Sequence, residues 1–446
     1  MSLPDGWAEA TVDDLGEFLN GMAFKPTDWQ NEGIGIIRIQ NLTDPAKPLN
    51  RTKRSFDEKY RVRKGDLLVS WSATLDAFIW DREDGVLNQH IFKVTPSGCV
   101  NTDFLFYQLR ELIAEMAASE HLHGSTMKHI NRGPFLAHSS ALPPLAEQRR
   151  IVTKLDALTA RLTRARAELD RVPVLAERMR STVLFRAFSG DLTAEWRANN
   201  GMPDAAWPVR LLGDIAKVQG GIQVGKKRPA DAVLIDTPYL RVANVQRGWL
   251  KLEEIKTLGV TAVERERLLL CDGDILMNEG GDRDKLGRGW VWRSEVPDCI
   301  YQNHVFRIRL TDQEFPPEFV SHYANEFGQG YFFEQGTQTT NLASISKRRI
   351  MALPVPVPPT VEAKEVLRLI NAAFSRADRL EAEATKARAL LDRMEAAILA
   401  CAFRGELVPQ DRADEPAHIL LDRIRAQRAA APKPKRGRRK KVEAKA

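Results

Sequence analysis

The sequence predicts a mixed α/β (α+β) protein built twice over. Two tandem α/β globules are each followed by one long helix, and the two helices pair as an antiparallel coiled coil with internal pseudo-twofold symmetry. Three observations predict this. Apolar residues recur on a four-three spacing through two glycine-free stretches, one after Pro143-Pro144 and one after Pro358-Pro359. The two stretches lie 215 residues apart and match position by position. The roughly 140 residues before each stretch also match one another in order, the mark of an internal duplication.

The first helix is read from its stripe, Ile151, Leu155, Leu158, Leu162, Ala165, Leu169 and Val172. Alternating steps of four and three keep every one on a single narrow seam, as in a coiled coil. Pro143 and Pro144 suit a helix start, where a missing N–H costs nothing, and Gly190 suits its stop. Pro173 interrupts this stripe, so a kink or short break is expected near residues 172–175. The second helix repeats the seam as Val366, Ile370, Ala373, Ala377, Leu380, Ala384, Ala387, Met394 and Ile398. Each helix should run about 40 residues, or about 60 Å at 1.5 Å per residue. Neither can bury its seam alone, and the simplest partner for each is the other.

The globules match through Leu3-Pro4-Asp5-Gly6-Trp7 with Met202 to Trp207, Gly21 with Gly221, and Arg38-Ile39-Gln40-Asn41 with Arg241-Val242-Ala243-Asn244. Gly65-Asp66 matches Gly273-Asp274, Gln89-His90 matches Asn303-His304, and Gly124-Ser125-Thr126 matches Gly336-Thr337-Gln338. Period-two runs at Ile36–Leu42 and Val305–Leu310 read as strands, and the Gly-Asp pairs as tight turns feeding strands Leu67–Ser70 and Ile275–Asn278. Short helices are expected at Phe104–Met116 and Pro317–Phe327. The resulting boundaries are a first domain at 1–145, its helix at 146–192, a linker at 193–207, a second domain at 208–360 and its helix at 361–407. A short C-terminal helix follows at 408–430, then a basic disordered tail at 431–446.

Charge lies mostly in that tail. Eight Lys and Arg against one Glu from Ala431 onward account for the whole formal net charge of +7. Such an arm can grip phosphates without reading sequence, but the folded body is near neutral, so its partners must be inferred from local groups. The four cysteines form no CxxC pair, and no apolar run approaches membrane-spanning length. The expectation is a soluble, cytoplasmic chain.

Catalytic patterns are decoys here. Gly220 to Lys227 resembles the start of a phosphate-binding loop, but Lys227 stands where Ser or Thr should hold magnesium. His121, His123, His129 and His138 lack the carboxylate and spacing of a zinc site. No cofactor-binding, metal or catalytic set is assigned.

Leu142-Pro143-Pro144-Leu145-Ala146-Glu147-Gln148-Arg149-Arg150-Ile151-Val152 resembles the segment that ends each target recognition domain in specificity subunits of type I restriction–modification systems. Ala402-Phe403-Arg404-Gly405-Glu406-Leu407 and Gly336-Thr337-Gln338-Thr339-Thr340-Asn341-Leu342 resemble further family stretches. The second copy departs at Ala363, where the first has Gln148. The resemblance implies a non-catalytic subunit that reads a bipartite, asymmetric double-stranded DNA target, one half per globule, with the paired helices setting the gap. It implies two docked modification subunits that use S-adenosylmethionine, and restriction subunits that use ATP and magnesium. A self-contained DNA-modifying enzyme and a non-reading coiled-coil scaffold are the alternatives from other classes.

Candidate DNA-reading residues are the fork donors, amides, hydroxyls and cations of the matching loops. In the first domain these are Lys25, Ser72, Thr74, Gln89, His90, Ser125, Thr126 and Lys128. In the second they are Lys226, Lys227, Asn278, Arg283, Lys285, Asn303, His304, Thr337, Gln338 and Thr339.

Overall fold

In the computed structural model, six helices of ten residues or more carry the architecture among the described residues, which are 3–118, 131–281, 285–338 and 343–430. They are α1 (Thr102–Ala118), α2 (Leu145–Leu169), α3 (Val172–Phe188), α4 (Pro317–Glu326), α5 (Thr360–Phe403) and α6 (Ala417–Ala430). With 44 residues, α5 is about 66 Å long. The first long stretch is not one helix. It breaks at Asp170–Arg171, a little before the expected place, and Pro173 falls in the first turn of α3, where its ring and missing N–H are tolerated.

The chain forms two units, Met1–Leu169 with Lys386–Ala446, and Asp170–Thr385. The divisions fall at the α2–α3 break and inside α5, so each unit holds one globule and one pair of helix segments.

In the first unit, a four-stranded sheet runs in the order β1 (Gly16–Asn20), β4 (Ile91–Pro96), β2 (Leu67–Ser70), β3 (Asp76–Ile79), antiparallel throughout. One face packs with α1 and the start of α2 into a core that includes Leu67, Val69, Phe104, Leu105, Ile151 and Leu155, and Ala402 of α5 joins them. A second sheet closes a smaller core around Ile37, Val62, Leu68, Trp80 and Leu87. The second unit repeats the plan with β5 (Ala216–Gly220), β8 (Val305–Leu310), β6 (Ile275–Asn278) and β7 (Gly289–Val291). Its larger core joins α3 and α4 to Ala363, Val366 and Ile370 of α5.

The expected strand Ile36–Leu42 ends early. The strand stops at Ile37, and residues Ile39–Thr43 form a helical turn. The cause is Asn41, whose Oδ1 accepts from Arg38 N and whose Nδ2 donates to the carbonyls of Lys47 and Pro48. Asn244 does the same with Arg241 N and the carbonyls of Lys251 and Glu254. A buried amide that serves three backbone groups outweighs a period-two pattern.

Helix pairing is antiparallel within each unit. In the first, Leu155 lies near the Ala402 end of α5, while Arg166 donates to Asp392 and Glu395 at 2.8 and 2.6 Å. In the second, Leu184 and Ala187 share a core with Ala363 and Val366, while Arg180 donates to Asp378 and Glu381 at 2.5 and 2.6 Å. Of the expected seam, Ile151, Leu155, Leu162, Val366, Ile370 and Ala377 are buried, and Leu158, Leu169 and Ile398 are half-buried. Leu380 and Met394 are corrections, being 51% and 43% exposed. The inward-facing positions beside them are Glu381 and Glu395, because the partner there is an arginine and not an apolar knob.

A glutamate locks each globule to its helix. Glu147 is buried and accepts from Trp7 Nε1 at 3.1 Å, and Gln410 Nε2 lies 3.5 Å from its other oxygen. Glu362 is buried and accepts from Trp207 Nε1 at 3.1 Å, Thr193 Oγ1 at 2.7 Å and Arg197 Nη1 at 2.8 Å. Gln410 and Arg197 each also donate to a left-handed glycine's carbonyl, Gly405 and Gly190 respectively. The expected linker 193–207 therefore contains an anchored helical segment, Ala194–Asn199, whose Arg197 is buried.

The departure at Ala363 has a structural reason. Gln148 is fully buried, accepting from Asn101 N and donating to the carbonyls of Cys99 and Pro143. Asn101 immediately precedes α1, and Pro316 holds the equivalent place before α4. Proline has no N–H to satisfy, so a methyl group at 363 completes an apolar core instead.

Candidate nucleic-acid interface

Each four-stranded sheet brings the matching loops to one edge. In the first unit, the ends of β1 and β2 and the starts of β3 and β4 meet there, as the pairs Asn20–Phe92, Ser70–Ile91 and Ser70–Asp76 show. The loop after β1 crosses onto the turn before β4. Met22 N donates to Leu87 O, and Gln89 N donates to Met22 O. Gly21 is required for this crossing, since a Cβ would lie 2.1 Å from Asn88 O. The second unit repeats it. Ile222 N donates to Tyr301 O, Asn303 N donates to Ile222 O, and a Cβ on Gly221 would lie 2.2 Å from Tyr301 O.

On this shared scaffold the side chains differ. The residue just past β2 is Trp71, and its N–H donates to His90 O. The residue just past β6 is Glu279, and its N–H donates to His304 O. These are equivalent positions facing equivalent histidines. Trp71 lies with its ring 4.8 Å from that of His90, and its Nε1 donates to Asn20 Oδ1 at 3.1 Å. Glu279 instead places Oε2 3.0 Å from His304 Nδ1, while His304 Nε2 lies 3.4 Å from Asn303 Nδ2. His90 and Ala73 both hold left-handed backbone, with φ of 73° and 62°. Each such residue costs on the order of 1 kcal/mol or more, a strain that concentrates at binding turns.

The candidate residues divide accordingly. Thr74, Gln89 and His90 lie together at the first edge, and Lys25 is exposed on the loop that crosses it. Ser72 is a correction: it is buried within that turn, its carbonyl accepting from Ser70 Oγ. Asn278 is another, since it is fully buried and its amide donates to the carbonyls of Val242 and Val245. Asn303 and His304 lie at the second edge, beside a small sheet in which Thr337–Gln338 pairs with Ala343–Ser344, itself paired with Gly280–Gly281. Lys285 begins the turn that returns to β7 through Gly287 N and Asn278 O. Lys226 pairs with Glu264 at 3.4 Å; Arg228 beside it holds that carboxyl down to about 2. Lys227 is exposed. Ser125, Thr126, Lys128, Arg283 and Thr339, with His121, His123 and His129, lie outside the described residues.

Sequence reasoning missed Trp71 and Glu279. Their equivalence was hidden because an indole and a carboxylate share no chemistry, and only the strand register aligns them. The phosphate-loop reading of Gly220–Lys227 fails, because β5 is followed by a bridge and a turn and not by a helix. No group of His, Cys, Asp and Glu able to hold a metal occurs among the described residues. No helix among them is long and apolar enough to cross a membrane.

Residues 4–170 match the family model of the type I restriction modification DNA specificity domain. The EcoBI specificity subunit of Escherichia coli is 28% identical over 99% of this chain and 96% of its own length. The chain is similar, end to end, to type I specificity subunits. The EcoKI specificity subunit of Escherichia coli strain K12 is 25% identical over 98% of this chain and 99% of its own. The HsdS subunit of Thermoanaerobacter tengcongensis shares the fold at a TM-score of 0.56 and 17% identity, over 91% of this chain and 99% of that one. A chain from a structure of type I restriction–modification complex assembly matches at a TM-score of 0.65 and 17% identity, over 91% and 100%.

Proposed function

We propose that the chain is the DNA-recognition subunit of a type I restriction–modification complex. Each unit reads one half of a bipartite, asymmetric double-stranded target through its sheet-edge turns. The long helices fix the number of unread base pairs and carry two modification subunits. The observation that supports this reading best is one scaffold built twice with different side chains at its reading positions, Trp71 with His90 in one unit and Glu279 with His304 in the other. Duplicated backbone with unlike chemistry suits two unlike half-sites.

Docking of the modification subunits is supported by apolar side chains exposed along the helices. Val174, Leu175 and Phe185 of α3 are 55%, 52% and 61% exposed, and Leu390 of α5 is 49% exposed. Exposed apolar side chains on a helix suit burial against a partner. The chain itself contributes the address and no catalysis. Methyl transfer from S-adenosylmethionine and ATP- and magnesium-dependent restriction belong to the partner subunits.

The test is methylation mapping of genomic DNA from cells expressing this chain with its cognate modification subunit. The reading predicts an adenine-methylated motif of two unlike parts separated by a constant gap, absent when this chain is omitted. A continuous motif, or the same motif without the chain, overturns it.

A further inference from the structure

We infer that Glu279 is a specificity-determining residue of the second reader. Its carboxylate accepts a hydrogen bond from the exocyclic amino group of a cytosine or adenine in the major groove. The inference rests on the DNA-reading role proposed above.

Position is the first argument. Glu279 follows β6 directly, its N–H bonded to His304 O, at the place occupied by Trp71 in the other unit. Its carbonyl accepts from Ile345 N, and the strand Gly280–Gly281 continues from it. Its backbone is thus held on both sides, and rigid support of this kind is what a reading side chain needs.

Orientation is the second. His304 Nδ1 lies 3.0 Å from Oε2, and Asn303 Nδ2 lies 3.4 Å from His304 Nε2, so the carboxylate is steered by a short polar chain. The Glu279 side chain is 28% exposed and that of His304 59% exposed. A pair this exposed adds little to stability, which leaves the fold no strong reason to place it there.

Chemistry is the third. The backbone of the Lys285–Arg288 turn is bonded to Asn278 on both sides, through Asn278 N to Arg288 O and Gly287 N to Asn278 O. Cationic residue types therefore lie on a turn whose backbone is bonded to the residue next to Glu279. Cations suit phosphates, whereas a carboxylate is repelled by them and gains only by facing a base donor. Ionised carboxylates only accept, so thymine O4 and the guanine O6 and N7 are rejected, and the amino groups of cytosine and adenine are selected.

The experiment uses the complex of this chain with its modification subunits and duplexes carrying the mapped target. Each cytosine or adenine of the second half-site is replaced in turn by its analogue lacking the exocyclic amino group. The inference predicts a roughly ten- to hundredfold loss of affinity at one position for the wild-type complex. Glu279→Met, close in size but with no oxygen to accept from an amino group, should abolish that sensitivity and leave every first-half position unchanged. Sensitivity at no second-half position, or the same sensitivity in both proteins, overturns the inference. So does loss of binding to all duplexes by both Glu279→Met and the acceptor-keeping Glu279→Gln with circular dichroism unchanged, since a reading residue acts at one position. A wild-type complex with no split motif fails the DNA-reading role itself. A split motif indifferent to Glu279 fails only this assignment.

Discussion

Exchanging each buried helix glutamate for glutamine should separate two locks that look alike in the sequence. In the second unit, Glu362→Gln leaves the buried Arg197 guanidinium with the Gly190 carbonyl, Thr193 and only one carboxylate, Asp204, whose side chain is 92% exposed. Breaking a buried pair this way costs about 3–5 kcal/mol. In the first unit, the partners of Glu147 are neutral, Trp7 and Gln410. Burial, only partly offset by those bonds, pushes its carboxyl above the ordinary 4.5. A glutamine there keeps an acceptor for Trp7 and removes a buried charge, so the change should stay within about 1 kcal/mol. The sign of the pH effect follows. A raised folded-state pKa gives stability that is full below 4.5 and lost as pH rises through the raised value, and Glu147→Gln should flatten that slope. Urea unfolding of the full chain, with hydrogen exchange followed on peptides of each unit, reads both effects. Equal losses, or a larger loss for Glu147→Gln, would refute the reasoning.

Three further outcomes are expected. Gln148→Ala strips partners from one part-buried N–H and two buried carbonyls, and should cost about 3–5 kcal/mol in urea unfolding. Burial between Trp290 and Phe374 holds His322 down to about 4, so stability should be full above pH 6.5 and fall as pH drops toward 4. The limiting loss is about 3 kcal/mol, and His322→Phe should remove this fall in the urea midpoint on the acid side. Gly221→Ala would press a methyl group against the carbonyls of Tyr301 and Gln302, neither of which can withdraw. It should destabilise by about 3 kcal/mol or more and abolish recognition of the second half-site in methylation mapping.

Much of the fold was legible in the sequence because the duplication repeats residues that have the same task in each copy. Trp7 and Trp207 reappear because each donates to a helix glutamate, and Gly21 and Gly221 because no Cβ fits either crossing. The helix seam was legible where it is apolar and failed at Leu380 and Met394. A periodic count cannot know that Arg180 and Arg166 stand opposite and draw Glu381 and Glu395 inward. Asn41 defeated the strand reading because its bonds reach six and seven residues along the chain. The candidate edge was least legible. Ser72 and Asn278 are polar residues that turned inward, and the two residues the register does place opposite the histidines, Trp71 and Glu279, share no chemistry that a sequence match could align.

The central claim is that one chain carries two independent readers. It is tested most directly by replacing residues 208–360 with the corresponding segment of another type I specificity subunit and mapping methylation with the same modification subunits. The second half of the motif should change while the first half and the gap persist. A change in both halves, or none in either, would contradict it.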